Sequence, residues 1–246
     1  MTELAGKRAL VTGGSRGIGA AIAIALADKG ADVAITYERS AERADSVAQA
    51  VTAKGRKAVA IQADSADPAA ISRAVDEAAA QLGGLDILVN NAAIALYSPI
   101  ADFPIADIDA LLAVNVRGPI LAAKAAIPHL SAGGRIINIG SGGADRIVGS
   151  PGTVYYMTKS ALQSFTRGLA QELGPRDITV NLVQPGSTNT DMNPQDGETA
   201  AFQLGLIPLG RYGQPEDVAA AVAFLATPAA RQITGAILNV DGGALT

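Results

Sequence analysis

The stretch Thr12-Gly13-Gly14-Ser15-Arg16-Gly17-Ile18-Gly19 follows a short apolar run, 8–12, and leads into an Ala-rich helical pattern that opens at Gly17. Glycines let the backbone turn sharply here and come close to a pyrophosphate. The helix that follows offers unpaired N–H groups and the positive end of its dipole to an anion. A tight strand-to-helix turn without a ligand is the alternative explanation. In this context the stretch predicts a dinucleotide-binding turn.

Apolar runs and Ala-rich segments alternate along all 246 residues. The apolar runs are short and continuous, which is typical of strands buried on both faces, and the Ala-rich segments favour helix. The predicted strands are 8–12, 32–37, 57–63, 85–90, 134–139, 179–184 and 236–240, and the predicted helices are 17–29, 41–53, 68–82, 105–130, 153–173 and 215–226. This order predicts an α/β fold, with a single-domain Rossmann-type doubly wound parallel sheet of about seven strands flanked by helices.

Residues 189–209 interrupt this alternation and are called the lid segment below. They contain Asn193-Pro194, Asp196-Gly197 and Pro208 around a weak helical patch at 198–206. Turn-rich segments of this kind often cover clefts. We therefore expect the lid segment to be a mobile cover within the single domain 1–246.

Composition excludes several classes of function. The net charge of −4 argues against nucleic acid, whose phosphates require a basic face. The chain has no cysteine and a single histidine, His129, which excludes thiolate chemistry and disfavours a His-rich metal site or a Ser-His-Asp triad. No apolar stretch reaches the roughly 18 residues of a membrane span, and residues 1–7 do not resemble a signal peptide. We expect a cytoplasmic protein that binds no metal, membrane or nucleic acid.

Tyr155 and Lys159 lie four residues apart within a predicted helix, and so on one face of it. A free tyrosine has a pKa of about 10, so proton exchange near neutrality requires a shift of about three units, or about 4 kcal/mol. A lysine ammonium ~4 Å away supplies about 4 kcal/mol at an effective dielectric constant of about 20. The pair therefore predicts a proton-transfer group. Its alternative is an amphipathic helix with a boundary tyrosine and an extended surface lysine.

These motifs resemble the short-chain dehydrogenase/reductase family, whose glycine turn reads Thr-Gly-x-x-x-Gly-x-Gly, over nearly the whole chain. The resemblance implies an NAD(P)-dependent oxidoreductase with Tyr155 as general acid or base and Lys159 lowering its pKa. It implies that Ser141 orients the substrate oxygen and that Asn115 kinks its helix and anchors a proton relay to Lys159. The loop from Ser141 to Tyr155 is longer than is usual in the family, and Ser150 in it is a weaker rival to Ser141.

The resemblance also bears on the choice of cofactor. Tyr37 stands where an acid that selects NAD usually lies, while Arg16 and Arg39 could both reach the 2′-phosphate of NADP. Glu38 could serve as the acid instead. The balance favours NADPH over NADH.

Further cofactor contacts follow from the family pattern. Asp64-Ser65 matches the position that faces adenine, although it could also cap the following helix. Thr188 replaces the family isoleucine that packs on the nicotinamide, and Thr190 matches the threonine that holds its carboxamide. The cofactor-binding residues implied are Gly13, Ser15, Arg16, Gly17, Ile18, Gly19, Tyr37, Arg39, Asp64, Ser65, Asn91, Ala92, Tyr155, Lys159, Pro185, Gly186, Thr188 and Thr190.

The substrate side is expected to be largely apolar, which suits a ketone or secondary alcohol. Its predicted lining consists of Ile94, Leu96, Tyr97, Ile147, Val148, Met192, Phe202 and Leu206. The chain also resembles 3-oxoacyl-carrier-protein reductases, in which Arg176 would help to grip the acidic carrier, but the basic partner expected in 128–133 is missing. A third alternative is a binding protein for a cyclic dinucleotide (c-di-GMP), suggested by 141–146 and by 184–194. The family further implies a homotetramer.

Overall fold

Seven parallel strands form one sheet in the computed structural model, which describes residues 2–147, 149 and 151–246. The strands are β1 Arg8–Val11, β2 Asp32–Tyr37, β3 Ala58–Gln62, β4 Ile87–Asn90, β5 Arg135–Ile139, β6 Thr179–Pro185 and β7 Ile237–Val240. Their order in the sheet is β3-β2-β1-β4-β5-β6-β7. The predicted Rossmann-type fold is therefore confirmed.

Helices cover both faces of this sheet. They are α1 Gly17–Asp28, α2 Ala41–Thr52, α3 Pro68–Leu82, α4 Ile105–Leu112, α5 Gly118–Ala126, α6 Thr153–Leu173, α7 Ala200–Leu204 and α8 Pro215–Ala226. One core cluster joins α1, α2 and α8 to one face, around Ile22 and Val222, and a second joins α3, α5 and α6 to the other, around Leu88 and Ile136. All four of these side chains are fully buried.

The predicted helix 105–130 is wrong as one continuous element. It is divided into α4 and α5 by a π-helical turn, Ala113–Arg117, and α5 ends at Ala126. Pro119 follows this turn and has no N–H to donate to the preceding turn, which favours the local change in hydrogen bonding. Asn115 lies within the π-helical turn, so the predicted helix distortion at this residue is present.

The lid segment contains less helix than its sequence suggests. Only α7 is α-helical, where 198–206 was expected. Before it, Thr190 and Asn193 exchange backbone hydrogen bonds in a tight turn. Among the residues described, no helix is long and apolar enough to cross a membrane.

The sheet order reverses between β1 and β4, since β2 and β3 lie on one side of β1 and the later strands on the other. Doubly wound sheets bind ligands in the crevice beyond the carboxyl ends of strands at such a switch point. The glycine turn follows β1 and 91–94 follows β4, so both segments border this crevice.

Candidate active site

A cleft of about 1000 Å³ lies at the carboxyl ends of the strands. Every residue predicted to bind the cofactor lines it, from Gly13 in the glycine turn to Thr190 in the lid segment. Of the predicted catalytic residues, Ser141, Tyr155 and Lys159 line the same cleft. Asn115 does not, because it is buried behind the wall with 1% of its surface exposed.

The glycine turn is held against its neighbours by short hydrogen bonds. Gly13 N–H donates to Thr36 Oγ1 at 3.0 Å, and Asn91 Nδ2 donates to the carbonyls of Thr12 and Gly13 at 2.9 and 3.0 Å. Gly13 has φ +63°, and a Cβ there would lie 2.9 Å from Ala92 Cα. Only glycine allows this approach between the ends of β1 and β4.

No side chain in the described part of the chain caps the N-terminus of α1. Its first N–H groups therefore remain available to an anion at the cleft, together with the positive end of the helix dipole. Gly19 in the first turn also has no room for a side chain, because a Cβ would collide with the Gly13 carbonyl and with Asn91. The turn and helix thus form a cradle that offers free N–H groups without side chains in the way, as an anion such as pyrophosphate requires.

The end of β2 carries charges of both signs. Arg39 is largely exposed, and its Nε donates to Glu38 Oε1 at 2.8 Å. Glu38 is thereby paired with a cation at the cleft edge. Tyr37, which stands in place of the acid that usually selects NAD, is half-buried at the cleft edge.

The adenine-facing pair Asp64-Ser65 lines the cleft but does not cap α3. Asp67 caps that helix instead, accepting from Ala69 N–H at 2.8 Å, so the capping explanation for Asp64-Ser65 is wrong. Asp64 Oδ1 accepts from Ala66 N–H at 2.7 Å. This Asx-turn type of contact lies after the end of β3 and leaves the cap to the residue directly before Pro68.

Lys159 and Asn115 are both buried, Lys159 in the lining of the cleft and Asn115 behind it. Lys159 Nζ donates to the Ile139 carbonyl at 3.0 Å. The Asn115 amide pairs with both backbone groups of Ile94 at 2.9 Å and donates to Thr158 Oγ1 at 3.1 Å. Asn115 therefore ties the π-helical turn to α6 at the residue beside Lys159.

The electrostatics of Tyr155 differ from the sequence argument. Burial raises the pKa of Tyr155, the phenols of Tyr97 and Tyr156 raise it further, and a hydrogen bond with Ser141 opposes the rise. Burial also lowers the pKa of Lys159 to about 8. Lys159 is not among the causes of this shift, since its amine donates to Ile139 and burial disfavours its charge, so the expectation that it lowers the Tyr155 pKa stays a prediction.

Ser141 begins the loop that returns to α6. Its Oγ accepts from Gly143 N–H at 3.3 Å and starts a 3₁₀ turn over Gly142–Ala144. Side chains at Gly143 or Gly152 would overlap the Tyr156 ring, so the loop packs on that ring through two glycines. The rival Ser150 and the predicted lining residue Val148 lie outside the described residues.

Three comparisons with known proteins agree on the family. A family model described as enoyl-(acyl carrier protein) reductase matches residues 13–245. A solved short chain dehydrogenase from Burkholderia cenocepacia J2315, in complex with NADP, is 56% identical with a TM-score of 0.98 and covers 99% of this chain and 100% of its own. The chain belongs to the short-chain dehydrogenase/reductase family.

Two curated relatives of this dehydrogenase/reductase carry different names. Versicolorin reductase stcU of Emericella nidulans is 42% identical over 98% of this chain and 97% of its own. The cyclic-di-GMP-binding biofilm dispersal mediator protein of Escherichia coli is also 42% identical, over 98% of both chains. The prediction of an NAD(P)-dependent oxidoreductase is confirmed at the level of the family.

The substrate side of the dehydrogenase/reductase cleft is only partly as predicted. Ile94, Tyr97, Met192, Phe202 and Leu206 line it. Two of the predicted residues are placed elsewhere: Leu96 packs in the cluster beneath Tyr155, and Ile147 is exposed outside the cleft.

Sequence reasoning missed several residues at the cleft. Ala244 and Leu245, close to the C-terminus, line it, and a Cβ on Gly142 would touch Leu245. Asp191 of the lid segment pairs with Arg16 and with Arg43 of α2. These contacts join positions up to 175 residues apart, and no local pattern in the sequence indicates them.

Proposed function

We propose that this dehydrogenase/reductase reduces apolar ketones with NADPH and that Tyr155 is the general acid. The observation that carries the proposal is the meeting of Ser141, Tyr155 and Lys159 at one end of a cleft whose other end is the glycine cradle. When bound, the cofactor supplies a hydride to the carbonyl carbon. Proton transfer and orientation of the substrate are assigned to side chains of this protein.

The cleft fits NADPH at several points. The uncapped first turn of α1 and the glycines provide the space and the N–H groups for a pyrophosphate. Arg16 and Arg39 border the region beyond β2, where a 2′-phosphate would lie, and Glu38 is engaged by Arg39. A structure 56% identical to this chain is a complex with NADP, which supports the same preference here.

Proton transfer is assigned to Tyr155. Its raised pKa keeps the phenol protonated at neutral pH, ready to donate to the oxygen of the reduced carbonyl. Ser141, the neighbour that opposes the rise in the Tyr155 pKa, is assigned to orient the same oxygen. Lys159 places a cation below the reacting groups, and Asn115 fixes α6 beside it.

The substrate is proposed to be an apolar or aromatic ketone. Tyr97 and Tyr156 flank the Tyr155 ring edge to face, with ring centroids 5.5 and 5.3 Å away. Met192 and Phe202 present about half of their surfaces at the mouth. An apolar cleft of this kind favours apolar substrates over sugars.

A carrier-protein substrate is less well supported. Arg176 was the basic residue expected to grip the carrier, but its Nη2 donates to the carbonyls of Ile127 and Leu130 at 3.0 and 2.8 Å. These bonds tie the guanidinium to the end of the α5 region. We therefore rank a simple ketone above an oxoacyl-carrier-protein thioester.

A cyclic dinucleotide is the second candidate ligand. The two segments that suggest it are joined in the structure, since Gln184 Nε2 donates to Asp145 Oδ2 at 2.7 Å. A relative 42% identical to this chain is named as a cyclic-di-GMP-binding protein. On this alternative the chain is a binding module on a reductase fold.

One experiment separates these candidates. NADPH consumption is measured over a panel of ketones, aldehydes and oxoacyl thioesters, and calorimetry is run with NADPH and with c-di-GMP. Turnover of apolar ketones together with NADPH binding supports the proposal. Binding of c-di-GMP without turnover of any carbonyl compound would replace it with the binding-module alternative.

We also propose a homotetramer in the cytoplasm, where reducing cofactor is supplied. Two separate faces expose large apolar side chains: Ile105 and Ile120 on α4 and α5, and Phe224 and Leu238 on α8 and β7. A closed tetramer with dihedral symmetry uses at least two different self-complementary faces. Light scattering on the purified chain tests this assembly.

A further inference from the structure

Asp191 joins the lid segment to two other parts of the fold. Its Oδ2 accepts from Arg16 Nη1 of the glycine turn at 3.4 Å and from Arg43 Nη1 in the first turn of α2. Arg43 lies 148 residues away in the sequence and Arg16 lies 175 away. Hydrogen bonds from Arg43 and Arg16 hold the pKa of Asp191 below its usual range, with Arg43 having the larger effect. The carboxylate is therefore charged at neutral pH.

A tight, hydrogen-bonded turn holds the Asp191 carboxylate in place. Thr190 and Asn193 exchange backbone hydrogen bonds on either side of Asp191, and Asn193 N–H also donates to Thr190 Oγ1 at 3.2 Å. The Asn193 and Gln203 amides then pair in both directions, at 2.9 and 3.1 Å, and fix the turn to α7. The position of Asp191 is thus coupled to α7 in the second half of the lid segment.

The same turn lies directly on the glycine cradle. A Cβ built on Gly17 would be 3.4 Å from Thr190 Cγ2, so Thr190 is in contact range of the first residue of α1. Thr190 is the residue expected to hold the cofactor carboxamide, and Asp191 follows it. The ion pairs therefore close the lid segment over the cleft wall at the point where the pyrophosphate would lie.

We propose that Asp191 is a positioning residue, whose ion pairs with Arg16 and Arg43 hold the lid segment on the glycine turn and thereby slow cofactor release. The identity of the cofactor rests on the proposed function, but the contact itself does not. Arg43 does not line the cleft, which places it behind Asp191 and not against the cofactor. The assigned role is retention of the bound cofactor, with no part in hydride or proton transfer.

The energetics predict a measurable but moderate effect. All three side chains are more than half exposed. Exposed ion pairs are individually weak, but two that share one carboxylate add up, so we expect loss of the pairs to speed release about three- to tenfold. The effect should shrink at 1 M salt, where the screening length falls to about 3 Å.

The test measures dissociation rates of NADPH and of NADH by stopped-flow fluorescence, using Asp191→Asn and Arg43→Gln in the full-length protein. Each variant should release NADPH and NADH faster by the same factor, and Asp191→Asn should have the larger effect because it removes both ion pairs. Asp191→Glu should restore much of the slow release. Arg73→Gln, another exposed arginine with no ion pair among the described residues, is the matched control and should release at the wild-type rate. The exchange of charges in Asp191→Arg/Arg43→Asp should recover slow release better than either single change.

Two results would overturn the proposal. Unchanged release from Asp191→Asn, with NADPH still bound by the wild type, would show that the ion pairs do not retain the cofactor, while leaving the reductase assignment intact. Faster release of NADPH alone from Arg43→Gln would make Arg43 a ligand of the 2′-phosphate instead. A wild type that binds neither nucleotide would contradict the proposed function itself, which is a different outcome from either.

Discussion

The two halves of the cleft are built in different ways. The cradle half consists of strand ends and a helix start, where the Gly13 backbone is bonded to the side chains of Thr36 and Asn91 at 3.0 Å. The substrate half consists of loops and the lid segment, where Tyr97, Met192 and Phe202 each expose about half of their surface. The comparison indicates that the reaction type is fixed by the rigid half and that substrate choice is left to side chains that packing constrains little.

The largest effect on activity is expected from removing the proton donor, which lies between the two halves of the cleft. Tyr155→Phe should lower turnover about 10²- to 10⁴-fold, since it deletes the general acid and keeps the ring. The NADPH dissociation constant should stay near that of the wild type. Steady-state kinetics and a fluorescence titration measure the two quantities.

Tyr156→Phe is the matched control, because Tyr156 is the next residue of α6 and its ring is held between Gly143 and Gly152. It should retain most of the activity. Equal losses in the two variants would show that the ring cluster, and not the Tyr155 hydroxyl, supports the reaction.

The next largest effect is expected in the cradle. Gly13→Ala adds a Cβ at 2.9 Å from Ala92 Cα and places alanine at φ +63°. The left-handed backbone alone should cost about 1–2 kcal/mol of unfolding free energy. The clash with the end of β4 should weaken NADPH binding as well. Chemical denaturation and cofactor titration give the two values.

Gly55→Ala separates the two causes. Gly55 has φ +73°, close to that of Gly13, but no atom lies within 4 Å of a Cβ built there. It should lose a similar amount of stability and bind NADPH normally. If both variants bind NADPH equally well, the close approach of β1 and β4 is not required for the cradle.

The same contrast explains what the sequence can predict. The glycine turn, the alternation of strands and helices along the chain and the Tyr155–Lys159 pair follow from local spacing, because each depends on a few adjacent residues or on a repeated pattern. The division of 105–130 by a π-helical turn was missed because the Ala-rich pattern on both sides predicts one helix, although Gly118-Pro119 interrupts it. Asp191 with Arg43, and Leu245 beside Gly142, depend on contacts over long separations, which residue spacing does not encode.

The direction of the Tyr155 pKa shift also could not be predicted from the sequence. Spacing places Lys159 near the phenol, but it does not show that both groups are buried or that the amine donates to Ile139. Burial works against both charged forms at once, raising one pKa and lowering the other.

The pH dependence of activity tests the charge state of Lys159. With a pKa of about 8 for Lys159, kcat/KM for ketone reduction should fall as the pH rises above 8, when the ammonium loses its proton. Tyr155 remains protonated over this range because its pKa is raised, so it does not cause the fall. Lys159→Arg should be slower but should lack the alkaline fall, because arginine keeps its charge.

The free energy of unfolding should rise with pH over the range in which activity falls. The Lys159 pKa is depressed from 10.5 to about 8 on folding, so the unfolded chain binds more protons between these values. This group therefore makes the folded state more stable as the pH rises from 8 to 10.5. An activity loss that coincides with unfolding in a thermal scan would remove the Lys159 explanation.

The smallest effect is expected at the mouth of the substrate half. Phe202→Ala should lower kcat/KM for a bulky aromatic ketone about fivefold, equivalent to about 1 kcal/mol, since a half-exposed ring contributes only part of its apolar surface. A small aliphatic ketone and NADPH binding should be affected much less. Leu204→Ala, a change of a half-exposed residue on the same helix that does not line the cleft, should leave all three unchanged. If Phe202→Ala instead weakened NADPH binding, the two halves of the cleft would be coupled through α7. The lid segment would then affect cofactor binding as well as substrate choice.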